Sequence, residues 1–312
     1  MKGIEISENF FLQSGKEIFE KQFGDIYGAI TVGLVGEGSE CFGFDDNISL
    51  DHDFEPGFCV FVDQNIYEKY GFALERAYSG LPKEFSGLKR QSLAPADGAR
   101  HGVIVTEKFY QRFTGVSDAP IDYKTFLYAP SFSLSCACNG RIFKEGSGKF
   151  MQLRKILEKG YPEDVRKKKL AAHAAMMAQS GQYNYSRLIA RGETGAAQLA
   201  VFEFVKSVIS TVYLLNNKYE PFYKWAYRGM RDLPILGNLE PALSNITELG
   251  NSAKQANEKK EIIDDIAILL CAEYARQRLS DANNNDLSSN AFSITDKIKD
   301  NNLRNMHIME GI

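Results

Sequence analysis

Two aspartates separated by a single residue, Asp51 and Asp53, are the side chains with the clearest capacity for chemistry in this sequence. In a strand, residues i and i+2 face the same side with Cα atoms roughly 6.5 Å apart, so their carboxylates can converge. Two like charges about 4 Å apart repel by on the order of 4 kcal/mol at an effective dielectric near 20. A hard cation removes that repulsion, and Mg²⁺ is usually held by one or two carboxylates plus substrate phosphates. The pair therefore predicts a magnesium site.

A glycine-rich turn precedes the pair. The apolar run Ile30–Val35 predicts a buried strand, and Gly-Glu-Gly-Ser-Glu follows it at residues 36–40. Gly38 leaves the backbone bare where a phosphate can approach, and Ser39 adds a hydroxyl. A phosphate-binding turn beside metal-binding carboxylates indicates a nucleoside triphosphate site.

Gly38-Ser39, a spacer of eleven residues and Asp51-x-Asp53 resemble the signature of the nucleotidyltransferase superfamily, the DNA polymerase β-like fold. The string from Gly38 to Asp53 is similar to an uncharacterised bacterial branch near the aminoglycoside-type nucleotidyltransferases. Three later segments also fit that branch, and the resemblance covers roughly residues 1 to 230. The segments are Gly140–Phe143, Tyr161–Val165 and Tyr219–Trp225.

The resemblance implies an enzyme that moves a nucleoside monophosphate, with AMP from ATP as the first expectation, to a hydroxyl of a small molecule or protein. Asp51 and Asp53 would hold Mg²⁺, and Gly38 and Ser39 would seat the phosphates of ATP or another triphosphate. A nucleotide-binding regulator that keeps the fold but has weak catalysis is the alternative.

A third carboxylate usually comes from a neighbouring strand in this superfamily. Glu107, at the end of the predicted strand 101–106, is the first candidate, and Asp122 is the next. His52 stands between the two acids, where the superfamily usually has an apolar residue. Because strand residues alternate in direction, His52 is expected to face away from the carboxylates and to have a structural role.

The bulk composition indicates a soluble globular protein. The chain has 312 residues, 44% hydrophobic and 25% charged, with a net charge of −3. The pI of about 5.9 argues against a nucleic-acid partner. The N-terminus lacks the apolar run of a signal peptide, and no membrane span is expected. Five scattered cysteines indicate reduced thiols in the cytoplasm, with Cys136 and Cys138 expected on one side of a strand.

The texture of the sequence changes near residue 148, where glycine and proline become rarer and apolar residues recur at helical spacing. We predict an α+β fold. Residues 1–148 form a nucleotidyltransferase domain with a mixed sheet flanked by helices, and residues 149–312 form a helical bundle that binds the acceptor substrate. The acceptor, the base preference and the oligomeric state stay open.

Local patterns predict the individual elements. Strands are expected at 30–35, 51–54, 58–62 and 101–106, with strand and loop character at 126–138. Helices are expected at 7–23, 65–79, 150–159, 162–180, 183–190, 194–216 and 254–279. Residues 80–100 are expected to be a surface loop, 230–250 to be looser, and 281–286 to be mobile.

Several basic side chains have two interpretations. Arg187, four residues before Arg191 on a helix, could clamp phosphates or make ordinary salt bridges. Lys224, beside Trp225, could line a base-stacking or acceptor-binding wall, or belong to an interhelical core. The run Arg166–Lys169 is read first as a solvated helix face, and second as an anion patch. The basic residues of the predicted loop could face solvent or triphosphate: Lys83, Lys89, Arg90 and Arg100.

Overall fold

A computed structural model describes residues 2–46, 55–90 and 100–312. The predicted strand 51–54, with Asp51, His52 and Asp53, lies outside the described residues. The chain divides into two compact units. The first unit comprises residues 1–125 and 129–159, and the second comprises residues 126–128 and 160–312.

The first unit combines six strands with eight helices among its described residues, the sixth helix crossing into the second unit. The strands are β1 Thr31–Leu34, β2 Cys59–Val62, β3 Glu84–Phe85, β4 Leu88–Lys89, β5 Gly102–Val105 and β6 Arg141–Lys144. The helices are α1 Gly3–Phe10, α2 Lys16–Gln22, α3 Gly24–Tyr27, α4 Gln64–Ser79, α5 Thr106–Thr114, α6 Tyr123–Tyr128, α7 Ser131–Cys138 and α8 Lys149–Leu157.

Four of these strands form a mixed sheet in the order β5-β2-β1-β6. Strand β1 is antiparallel to β2 and β6, whereas β2 and β5 are parallel and are joined through α4. Strands β1, β2 and β5 confirm the apolar runs as strands, to within a residue or so at each end. The remaining two strands, β3 and β4, form a small hairpin within the predicted loop 80–100.

Both faces of the sheet are buried. Side chains of β2 alternate in direction, so they pack against helices on either side. Val60 and Val62 belong to a cluster with Phe10, Phe19 and Leu74, which come from α1, α2 and α4. Phe61 points the other way, where its ring stacks on Phe150 of α8 with centroids 3.8 Å apart and meets Phe109 of α5 edge to face at 5.1 Å. Helices therefore flank the mixed sheet, as the sequence predicts.

Two predictions about local structure in this unit are wrong. The N-terminal helix begins at Gly3 rather than after Ser7, which is buried inside it, and a π-helical segment at Phe11–Gly15 interrupts it. Cys136 and Cys138 lie on helix α7, not on a strand, and the Cys138 Sγ contacts the carbonyl of Leu134 at 3.3 Å. A short apolar run cannot distinguish the two structures by its pattern alone.

The second unit is helical. Apart from a π-helical segment at Ala178–Tyr185 and a 3₁₀ turn at Gly237–Leu239, its elements are all α-helices. They are α9 Glu163–Met177, α10 Ser186–Ala190, α11 Thr194–Leu215, α12 Tyr223–Met230, α13 Glu240–Glu248, α14 Ala253–Arg276, α15 Leu287–Asp296 and α16 Asn301–Arg304. The α+β class with a helical C-terminal region is thus confirmed.

Helix α11 is long and apolar enough to cross a membrane by length and composition, contrary to the expectation that no segment would reach that limit. Of its most apolar window, however, 61% is buried within the chain. Val201, Phe204, Val208 and Val212 are fully buried along it. Such burial is typical of the core helix of a soluble protein.

Three further predictions in this unit are wrong. Residues 230–250 contain α13, whose second residue is Pro241, a position where proline is tolerated. Residues 281–286 are tied down, since Asp286 caps α15 and Asp281 pairs with Lys297 at 2.6 Å. The basic run is not a solvated face, because Lys168 is fully buried and donates to the carbonyls of residues 306 and 307.

Candidate functional site

The residues that follow β1 form a compact turn, residues 36–44, which we call the glycine turn. Gly36 adopts a φ of +132°, a conformation that side-chain-bearing residues rarely adopt. Its N–H donates to the Oδ1 of Asn139 at 2.9 Å, and its carbonyl accepts from the Nδ2 of the same residue at 2.7 Å. One amide side chain therefore fixes the start of the turn from both sides.

A second contact fixes the middle of the glycine turn. The N–H of Gly140 donates to the carbonyl of Cys41 at 2.9 Å. A Cβ at Gly140 would lie 1.9 Å from the carbonyl oxygen of Leu34, and its φ is +67°. The sequence predicts a turn at Asn139-Gly140 but gives no signal that this turn supports a segment a hundred residues earlier.

Gly38 lets an ion pair lie directly on the backbone of the turn. Arg100 Nη2 binds Glu40 Oε1, and a Cβ at Gly38 would lie 2.2 Å from each of these two atoms. The next residue, Ser39, begins a 3₁₀ turn, and its Oγ lies 3.5 Å from Glu40 Oε2. The bare backbone, the hydroxyl and the guanidinium therefore meet at one place.

The strand register explains why these distant segments converge. Gly33 of β1 pairs with Cys59 at the start of β2, and Cys59 pairs with Gly102 at the start of β5. The end of β1 and the beginnings of β2 and β5 thus share one edge, which we call the glycine-turn end. Cys59 Sγ donates to the carbonyl of Arg100 at 3.3 Å, which fastens this edge further.

A histidine and a carboxylate lie at the same end. His101 is 4% exposed, and its Nδ1 lies 3.4 Å from Oε1 of Glu55. Gly57 makes room for the ring, because a Cβ there would lie 2.6 Å from its Cγ. Sequence reasoning did not single out Glu55 or His101. Their signal is position alone: His101 stands directly before β5, and three residues separate Glu55 from β2.

The two cysteines at this end are poor nucleophiles. Burial raises the pKa of Cys59 to about 12, and it raises the pKa of Cys41 well above its usual value. Both therefore remain protonated thiols at neutral pH. All five cysteines of the chain are free, and this pair packs rather than reacts.

Glu107 is not brought together with Gly38 and Ser39. It follows β5 at the opposite end of the sheet, beyond all four residue pairs of β2 and β5, which together span about 10 Å at ~3.3 Å per residue. Its Oε2 accepts from the N–H of Gln64, the first residue of α4, at 2.9 Å, and its Oε1 lies 3.3 Å from Lys149 Nζ. This carboxylate stabilises a helix N-terminus.

Asp63 has an equivalent arrangement at this end, which we call the capping end. Its carboxylate accepts from the N–H of Lys149, the first residue of α8, at 3.1 and 3.2 Å. Burial raises the pKa of Asp63, although the bond from Lys149 opposes that shift. Lys149 Nζ also binds Asp118 at 2.7 Å. At this end, therefore, the carboxylates accept hydrogen bonds from the N–H groups of helix N-termini.

Two further acids also bind helix N-termini, and one of them is Asp122, the second candidate for a third carboxylate. Asp122 accepts from the N–H of Lys124 at the start of α6, at 2.8 Å. Asp45 accepts from the N–H of Gly3 at the start of α1, at 2.9 Å, and its other oxygen lies 3.5 Å from Lys2 Nζ. Both positions are explained by helix stability.

Arg187 and Lys224 belong to the second unit, and each lies against an aromatic ring. The guanidinium of Arg187 is 4.6 Å from the ring centre of Tyr183, and Lys224 Nζ is 4.4 Å from that of Trp225. Both cations are exposed. Within its unit, each cation forms a local cation–π contact.

The part of the chain that the structure describes contains no group of three or more His, Cys, Asp or Glu side chains placed to hold a metal ion. Of the predicted site residues, the structure places Gly38 and Ser39 together, Glu107 at the other end of the sheet, and Arg187 and Lys224 in the second unit. Asp51 and Asp53 lie outside the described residues.

Comparison with known proteins gives limited information. A family model described as a domain of unknown function (DUF4037) matches residues 126–226, less than half of the chain. Among curated proteins, none matches. The chain is similar to the crystal structure of a nucleotidyltransferase-like protein from Exiguobacterium sibiricum, with 11% identity, coverage of 90% of this chain and 89% of that chain, and a TM-score of 0.39. A similarity at that level carries no argument on fold or activity.

Proposed function

We propose that this protein is a magnesium-dependent nucleotidyltransferase that moves a nucleoside monophosphate, AMP from ATP in the first instance, to a hydroxyl group. The observation that supports it best is the glycine-turn end. There, a bare backbone, the Ser39 hydroxyl and the Arg100 guanidinium meet beside the segment that connects Asp51 and Asp53 to β2. Glu55 stands two residues after Asp53, and two residues of chain span at most about 7 Å.

Each residue has a distinct role in this proposal. Asp51 and Asp53 would hold Mg²⁺, a fit that needs only two protein carboxylates because the phosphates supply further oxygens. When bound, the metal supplies Lewis-acid polarisation of the phosphate oxygens. The backbone at Gly38 and the Ser39 hydroxyl would seat the β- and γ-phosphates. The acceptor hydroxyl oxygen would then bond to the α-phosphorus and lose its proton to solvent, while the bond from the α-phosphorus to the bridging oxygen breaks and that oxygen leaves with pyrophosphate.

The proposal gives no catalytic role to Glu107, because that carboxylate binds the α4 N-terminus at the capping end. The helical unit would bind the acceptor, a small molecule or a protein, and the nucleotide-binding role of Arg187 and Lys224 stays a prediction. The free cysteines fit a cytoplasmic location.

A catalytically weak nucleotide-binding regulator is the second candidate. The position of Glu107 favours it, because the only predicted strand-end candidate for a third carboxylate is far from the glycine turn. The two candidates share nucleotide binding and differ in turnover.

Calorimetric titration with ATP, with and without Mg²⁺, tests the shared part. We expect saturable binding that depends on the metal. Pyrophosphate release is then measured over a panel of aminoalcohols, other hydroxyl metabolites and proteins. Release with one acceptor class supports the enzyme, binding without release supports the regulator, and absence of metal-dependent ATP binding contradicts both.

A further inference from the structure

We propose that Arg100 binds the triphosphate at the glycine turn and that Glu40 positions it there. This inference rests on the proposed function and adds a residue that discriminates triphosphate from monophosphate. The sequence gives Arg100 the same two interpretations, solvent or triphosphate, as the other three basic residues of the predicted loop 80–100. Of these, Arg90 donates to the carbonyls of Tyr78, Leu81 and Pro82, which is a structural role.

The geometry places the Arg100 guanidinium on the turn itself. A Cβ added at Gly38 would lie 2.2 Å from Nη2, so the guanidinium occupies the space that a side chain at residue 38 would need. Ser39 Oγ and Arg100 Nη2 contact the same carboxylate, that of Glu40. A phosphate seated by the Gly38 backbone and the Ser39 hydroxyl would therefore lie beside the guanidinium.

The backbone of Arg100 is held while its head group reaches the surface. The Arg100 carbonyl accepts a hydrogen bond from the Cys59 thiol. The next residue is His101, whose ring is buried and contacts Glu55. The Arg100 side chain is 32% exposed, whereas that of Glu40 is 9% exposed. The buried carboxylate thus keeps a partly exposed cation in place before any ligand arrives, which reduces the entropy lost on binding.

The chemistry suits a polyphosphate. A guanidinium presents a planar fork of donors that matches phosphate oxygens, and such charge-assisted hydrogen bonds are stronger than neutral ones. A cation that contacts the β- or γ-phosphate strengthens the binding of ATP but not that of AMP. Arg100 should therefore determine the ratio of the two affinities.

The chain offers a matched control. Arg112 Nη2 binds Glu37 Oε2, so this second arginine also pairs with a glutamate of the glycine turn. Both partners are about half exposed, at 47% and 48%, and the three atoms nearest to a Cβ placed at Gly38 belong to Arg100 and Glu40 instead. Arg112→Ala removes the same charge from beside a glutamate of the same turn and leaves the Arg100–Glu40 pair at Gly38 in place.

The experiment measures dissociation constants for ATP and AMP in the presence of Mg²⁺. The variants are Arg100→Ala, Arg100→Lys, Glu40→Gln and Arg112→Ala, each checked by its thermal unfolding curve. We expect Arg100→Ala to weaken ATP roughly tenfold to a hundredfold, the loss of a charge-assisted hydrogen bond, and to change AMP by less than about threefold. Arg100→Lys should give an intermediate loss, and Arg112→Ala should leave both affinities within about threefold.

Glu40→Gln tests the positioning role. It should weaken ATP less than Arg100→Ala does, because the guanidinium remains but loses its charged partner. If Arg100→Ala unfolds, the Arg100→Lys variant tests the inference by itself. A lower ratio of ATP to AMP affinity supports phosphate binding, because a merely structural arginine would leave that ratio unchanged.

Equal losses for ATP and AMP in Arg100→Ala, or no loss for either, overturn this inference while the parent still binds ATP. A parent protein that binds no ATP with Mg²⁺ overturns the proposed function as well, so the two failures are distinguishable.

Discussion

The two ends of the four-stranded sheet use carboxylates in different ways. At the capping end, Glu107 and Asp63 accept from backbone N–H groups at the first turns of α4 and α8. At the glycine-turn end, Glu40 and Glu55 instead contact the side chains of Arg100 and His101. Backbone partners are used up by the fold, whereas a partly exposed side-chain partner such as Arg100 has further donors that can contact a ligand.

This difference separates acids that support the structure from acids that can take part in binding. The first turn of a helix has N–H groups without intrahelical partners, and a carboxylate there stabilises the helix. Losing such a carboxylate should lower stability and leave binding unchanged. Substituting Asp51 or Asp53, the acid pair proposed to bind the metal, should instead lower the affinity for ATP and change stability little.

The largest effect is expected for the acid pair that precedes β2. Asp51→Asn should lower the affinity for ATP with Mg²⁺ on the order of 100-fold or more, because one of two proposed metal ligands loses its charge. Asp53→Asn should do the same. The free energy of unfolding should change little, as the substitution keeps the side-chain volume. Calorimetric titration and chemical denaturation of the same samples measure the two quantities.

An Asp51→Asn variant that binds ATP as well as the parent would falsify the metal-binding role. Loss of stability together with binding would instead show that the pair has a structural role, and the contrast between the two ends would disappear.

Glu107→Ala should destabilise the protein by about 1–2 kcal/mol, because the N-terminus of α4 loses its carboxylate and Lys149 loses one partner. Glu107→Gln keeps an oxygen acceptor and should cost less. ATP affinity should match the parent in both variants. Urea denaturation gives the stability, and nucleotide titration supplies the control. Unchanged stability with abolished transfer would return Glu107 to the catalytic role that the sequence predicts.

Asp63 should give the capping end a pH dependence of its own. Burial raises its folded-state pKa above the usual 3.8, so the folded protein binds the proton more tightly than the unfolded chain. Its contribution to stability is fully present below the unfolded pKa and is lost as the pH rises through the folded pKa. Relative to Asp63→Asn, the parent should therefore gain stability as the pH falls from 7 through that raised pKa.

The measurement is the difference in unfolding free energy between the parent and Asp63→Asn across that pH range. Taking the difference cancels the titration of the other carboxylates. A difference that stays constant, or that falls toward acid pH, would show that Asp63 is ionised at no cost and that its burial has no energetic effect.

The sequence predicts what local pattern determines. Apolar runs bounded by glycines predict β1, β2 and β5 because strand formation and turn residues are read within a few positions. The glycine turn is predicted in the same way, from the glycines and the serine that follow β1. The class of the fold is recovered from these elements and from the helical texture of the second half.

The supports of the candidate site could not be predicted because they depend on tertiary contacts. Glu40 and Arg100 are 60 residues apart, and Gly36 and Asn139 are 103 apart. Nothing in either segment specifies its partner. The same limit explains Lys168, whose position in a basic run indicates solvent but whose ammonium binds carbonyls from residues 306 and 307.

Arg112→Ala should have the smallest effect and therefore sharpens the contrast within the glycine turn itself. Exposed ion pairs contribute little, because both charges are well solvated and two long side chains lose freedom. The pair with Glu37 is about half exposed on each side, so we expect a change within about 0.5 kcal/mol by urea denaturation. Arg100→Ala, which leaves the buried Glu40 carboxylate without this partner, should cost clearly more. Equal losses for the two variants would mean that burial of Glu40 does not distinguish these ion pairs.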